Sequence, residues 1–174
     1  SQDSRWSTWD YEALAHEGGH AVWWNWLGDE AISSPVLWSP PDPWFEGFAG
    51  FFERMVFEPG FMARYVPEVP SEHRDALFQN RARSTARSIT NNIIATLVER
   101  RLYEDPTNLE AITRYAAELR AGLTGLPMSE KTENGLYYDA SVLSSLSWNY
   151  PGYNQNFLFA DMTEAWLYAG VEAN

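Results

Sequence analysis

Residues 11–28, YEALAHEGGHAVWWNWLG, carry two of the chain's three histidines, four positions apart around Glu17, in a run otherwise rich in apolar side chains. Residues four apart share one face of an α-helix, so His16 and His20 meet only if this stretch is helical. Two imidazoles on an apolar helix face are costly to bury without partners. The pair therefore asks for a second element that brings a compensating group to that face. Gly18 and Gly19 add to the constraint, since each glycine costs about 1 kcal/mol relative to alanine inside a helix.

The rest of the chain reads as helical nearly throughout. Ser7 or Thr8 is placed to cap a helix from about Trp9 to Leu27, which Gly28 ends. A proline- and serine-rich loop follows, and Asp42-Pro43 reads as N-cap and first-turn residue of a second helix, WFEGFAGFFERMVF. Glu58-Pro59-Gly60 interrupts it before a short helix, FMARY. Ser71 is expected to cap a long helix with apolar positions at Ala76, Leu77, Ile89, Ile93, Ile94, Leu97 and Val98. Another helix starts near Asp105 to Thr107, and the last follows a turn at Pro151-Gly152. Period-2 alternation and internal repeats are not evident. The expected fold class is all-α, with six or seven helices and the histidine-bearing helix packed on the glutamate-bearing one.

Length supports one domain over residues 1–174, standing alone or within a larger chain or assembly. The chain opens at Ser1 rather than methionine, so processing or trimming is expected. Net charge is −12, from 24 acidic and 12 basic residues, a surface that repels phosphate backbones and anionic membranes. Nucleic acid and membrane are therefore not expected partners. The basic stretch RARSTARS, residues 81–88, reads as a solvated helix face. With no cysteine, thiolate ligands and cysteine nucleophiles are excluded. A cytoplasmic location is expected, with secretion after processing as the alternative.

His-Glu-x-x-His on a helix is a metal motif for a mechanical reason. The two imidazoles present ring nitrogens to one ion, and Glu17, offset by about 100°, flanks that ion without binding it. It is thus placed to take a proton from a water. A catalytic zinc needs a third protein ligand and one open position. His73 lies in SEHRDA, the polar opening of the long helix, and reads as a surface or capping residue. The third ligand is then a carboxylate, and the second helix offers Glu46 and Glu53, seven residues apart on a phenylalanine-rich face. One zinc ion per chain is the implied cofactor. Gly19 and Gly50 read as small residues that let the two helices approach.

HEGGHA followed by FEGFAGFFERMVFEPGFMARY resembles the M3 peptidase family, the thimet oligopeptidase and oligoendopeptidase F group of gluzincins. The resemblance implies a compact, helical, zincin-like catalytic domain. It implies His16, His20 and Glu46 as zinc ligands, Glu17 as general base, and Glu53 in support of the ligands, with Glu58-Pro59 in the family's order. The tail, NYPGYNQNFLFADM, resembles the element that offers tyrosine hydroxyls to the scissile carbonyl, which implies Tyr150, then Tyr153, as oxyanion donors. Many relatives carry histidine where this chain has Trp23 and Ser145, and the match covers only the metal-bearing half of such enzymes. The resemblance leaves three alternatives: a compact minimal peptidase, a fragment, or one wall of a cleft completed by a second copy or a partner domain. The implied reaction is hydrolysis of peptide bonds in oligopeptides, and Trp23, Trp24, Trp38, Trp44 and Trp148 are candidates for apolar subsites.

Two other readings stand beside it. One is a non-catalytic zinc-binding or scaffold protein derived from the same fold, which has no need of Glu17. The other is a ferritin-like carboxylate protein, for which Glu17-Gly-Gly-His20 supplies one Glu-x-x-His motif and the chain no second.

Overall fold

The computed structural model describes residues 8–27, 41–146 and 150–172. These form six α-helices: α1 Thr8–Leu27, α2 Asp42–Met55, α3 Pro59–Tyr65, α4 Ser71–Glu104, α5 Leu109–Thr124 and α6 Tyr153–Glu172. A 3-10 segment, Tyr138–Ser145, precedes α6. Apart from one isolated antiparallel bridge, Lys131 to Tyr137, the described residues pair no strands. The all-α expectation holds, as does the packing of α1 on α2.

Several helix starts differ from expectation, for local reasons. Asp42 is the first residue of α2 and Pro41 its cap, without a side-chain cap bond. Ser71 is likewise already helical, and the first turn of α4 closes on the Pro70 carbonyl. The cap of α5 is Asn108, whose Oδ1 accepts from the Ala111 amide at 3.1 Å. Asp105 instead accepts from the amide and hydroxyl of Thr107, a local turn that competes with helix. The 3-10 segment had no counterpart in the sequence pattern.

The chain divides into two compact units, residues 1–85 with 159–174, and residues 86–158. In the second, Ile94, Ala95, Val98 and Leu102 of α4 pack on Ile112 and Ala116 of α5 and on Val142 and Leu146. Glu99, 4% exposed, accepts from the Tyr103 hydroxyl at 2.7 Å and the Gly152 amide at 2.8 Å. That bond fixes the Pro151-Gly152 turn, where Gly152 adopts φ +78°.

In the first unit, small residues set helix distances. A Cβ on Gly19 of α1 would lie 2.8 Å from the Ala49 Cα of α2. Gly47 and Gly50, on the same helix as Ala49, abut Ala160 and Thr163, and Glu164, of the last helix. Gly50 therefore serves the approach of the last helix, not that of α1 as the sequence suggested. Gly18 has nothing within 4 Å of its Cβ position. Among the described residues no helix is long and apolar enough to cross a membrane.

Candidate metal centre

The contact between α1 and α2 brings His16, His20 and Glu46 together, one ligand atom of each lying within 4.8 Å of the others. His16 Nε2 is 3.2 Å from Glu46 Oε2, and His20 Nε2 is 3.9 Å from Glu46 Oε1. Donors around a tetrahedral zinc stand roughly 3.3 Å apart; the His16–Glu46 distance matches this, and the other donors, within 4.8 Å, would have to draw in to hold one ion. The His20 contact is too long for a hydrogen bond, and its Nδ1 is buried without a partner. Burial lowers the His20 pKa, which favours the neutral imidazole that a metal requires. Phe45 stacks on this ring at 3.9 Å between centroids and holds its plane. Two imidazoles and one carboxylate are a donor set of the kind that zinc takes.

Glu53 lies against the other ring nitrogen of His16. Its Oε2 lies 3.1 Å from His16 Nδ1, so the two ring nitrogens of His16 face two different carboxylates. Without an ion, hydrogen bonds to Glu46 and then Glu53 hold the His16 imidazole protonated, up to about 9. The same contact lowers Glu46. Glu17 is exposed on α1, between the two histidines in sequence. His73 is exposed in the first turn of α4. Glu58, of the Glu-Pro pair, accepts from the Tyr168 hydroxyl, and the Arg54 guanidinium lies 3.5 Å over that tyrosine ring.

The two tyrosines expected as oxyanion donors lie in the second unit. Tyr150 is 68% exposed, and its ring stands 6.1 Å from that of Tyr153. Tyr153 packs edge-on against Phe157. Of the tryptophans considered for subsites, Trp23 is 6% exposed and belongs to the core, ringed by Trp26, Trp44 and Phe48. Trp24 and Trp44 reach the surface. Trp38 and Trp148 lie outside the described residues, and the side chain of Ser145 is likewise not described.

Sequence reasoning missed the charged groups behind Glu53. Arg81, in the stretch expected to be a solvated face, is 16% exposed at its side chain and pairs with Glu53 Oε1 at 2.6 Å. Most of the stretch is exposed, as expected, and Arg81 departs from it by turning toward unit 1's buried carboxylates, a destination that a basic cluster does not announce. Asp161 and Glu164 of the last helix lie in the same field. Their signal was legible: acids within an apolar helical run, FADMTEAW, as with Glu46 and Glu53.

These acids carry a pH dependence. Burial pushes the Glu164 carboxyl up to about 7 against the pull of Arg81 and Arg54, and burial pushes Asp161 up to about 6. The fold thus retains protons that the unfolded chain has released. The stability they contribute is full below about pH 4.5 and is lost as pH rises through about 7. Glu164→Gln, a neutral replacement, is expected to raise stability near pH 8 by about 1–3 kcal/mol and to flatten the slope between about pH 5 and 7. Urea denaturation at several pH values measures both, and an unchanged slope would place the titration elsewhere.

Comparison with protein-family models, with curated proteins and with solved structures gives no match to this chain. Fold and site together define an all-α chain bearing a candidate metal centre of two histidines and one glutamate. Its chemistry rests on the geometry of these residues.

Proposed function

We propose that the chain is a zinc-dependent metallopeptidase, as the resemblance to the M3 peptidases implies. The observation that carries this reading is the convergence of His16, His20 and Glu46 across two helices, with Glu53 on the far nitrogen of His16. His16, His20 and Glu46 would hold the ion. When bound, zinc would polarise the scissile carbonyl and make a water acidic enough to attack near neutral pH. Glu17 takes the proton of the attacking water and returns it to the leaving amine. Its exposure leaves it open to water and peptide, which a purely structural site does not require. Glu53 orients His16 and stabilises the tautomer that leaves Nε2 free for the ion. Peptides are the substrate class.

The test is incubation of the chain with a mixed peptide library, zinc-loaded and after chelation, read by mass spectrometry. Cleavage that needs zinc is the expected result. One zinc bound per chain with no cleavage would favour the non-catalytic zinc protein instead.

A further inference from the structure

The pairing of Arg81 with Glu53 lies outside the set of residues assigned so far. Arg81 Nη2 reaches Glu53 Oε1 at 2.6 Å, while the other carboxylate oxygen is 3.1 Å from His16 Nδ1. A carboxylate held at both oxygens cannot turn about its own axis. The imidazole it contacts is held at both ends, Nδ1 on Glu53 and Nε2 toward Glu46. We propose that Arg81 is a positioning residue of the metal centre, acting through Glu53 to fix the orientation of His16 and the nitrogen that carries its proton. This inference rests on the zinc reading of the site.

Three features separate this pair from an ordinary surface ion pair. Both side chains are largely buried, at 16% and 18% exposure, where an ion pair is screened less and its loss costs more. The Nε of Arg81 is buried without a partner, so the guanidinium gives up one hydrogen bond to keep its contact with Glu53. Arg81 is also the cation set against a group of carboxylates, since its charge opposes the burial of Glu12, Asp161 and Glu164. Without it, Glu53 would face those acids with His16 as its remaining partner. Arg54, the other arginine in this field, is engaged over the Tyr168 ring and with Glu164.

A double-mutant cycle tests the route of action. Arg81→Gln removes the charge beside an existing cavity of about 200 Å3. Zinc dissociation constants are measured by competition with a chromophoric chelator for the wild type, Arg81→Gln, Glu53→Gln and the double variant. Nitrogen-15 spectra of the zinc-loaded histidines report the Nδ1 proton of His16, and three histidines keep the assignment simple. Arg81→Gln is expected to weaken zinc binding by about 10- to 100-fold. It should also shift the His16 Nδ1 resonance more than that of His20, and Arg81→Lys should recover part of the affinity. The double variant is expected to match Glu53→Gln within about twofold, because Arg81 acts only through Glu53. If Arg81→Gln alone does not fold, Arg81→Lys takes its place in the cycle, with weaker zinc binding than the wild type and a shifted His16 Nδ1 resonance expected. A further tenfold loss in the double variant would overturn the inference, and so would Arg81→Gln with unchanged affinity and resonance. Absence of zinc binding by the wild type would instead overturn the metal reading, and this inference with it.

Discussion

Glu17→Gln is expected to bind zinc as tightly as the parent chain and to hydrolyse peptides about 100- to 10,000-fold more slowly, the range for loss of a general base. That is about 3–5 kcal/mol of activation free energy. The separation of the two effects follows from position. Glu17 is exposed and is not among the residues that converge on the candidate ion, so the amide leaves the donor set and the helix intact. An amide has no basic site for the proton of the attacking water, and chemistry alone suffers. Zinc titration and steady-state cleavage of the best library peptide measure the two effects. Equal turnover would remove Glu17 from the mechanism. A parallel loss of zinc would mean that Glu17 helps to hold the ion.

Gly19→Ala is expected to lower stability by about 1–3 kcal/mol, toward the upper end, and to weaken zinc binding as well. The new methyl would lie 2.8 Å from the Ala49 Cα and 3.3 Å from the Ala49 carbonyl oxygen, both backbone atoms that no rotamer change can move. The two helices must separate, and Glu46 rides on the one displaced, away from His16 and His20. The gain in helix propensity, about 1 kcal/mol, does not offset this. Gly18→Ala provides the control. Nothing lies within 4 Å of its new methyl, so it is expected to stabilise by about 0.5–1 kcal/mol and leave zinc binding unchanged. Denaturation and zinc titration of both variants give the comparison. Equal stability of the two would mean that the helices are not held at this distance.

Fold and site are joined here, because the same close approach that excludes a methyl at position 19 brings a carboxylate to two imidazoles. The Glu164 titration belongs to the same logic, since its carboxyl is buried beside Gly50 on the other side of α2. In this unit α2 lies between α1 and the last helix, with Ala49 against Gly19 on one side and Gly47 and Gly50 against the last helix on the other.

The sequence by itself determined the local terms. Periodicity and breakers marked the starts of α1 to α6 to within about a turn, since amphipathic spacing and Pro or Gly act over a few residues. The four-residue spacing of His16 and His20 fixed their shared face, and the seven-residue spacing of Glu46 and Glu53 fixed theirs. Which partner each group met was decided by tertiary structure. Gly50 faces Glu164 rather than α1, Arg81 leaves a basic stretch to pair with Glu53, and Asn108 rather than Asp105 caps α5. The physical reason is that helix formation depends on neighbours along the chain, whereas burial and ion pairing depend on groups far apart in sequence. His16 shows both. Its face was set by helical spacing, but the carboxylates at its two nitrogens come from positions 30 and 37 residues away, and only the packing of α1 on α2 brings them there.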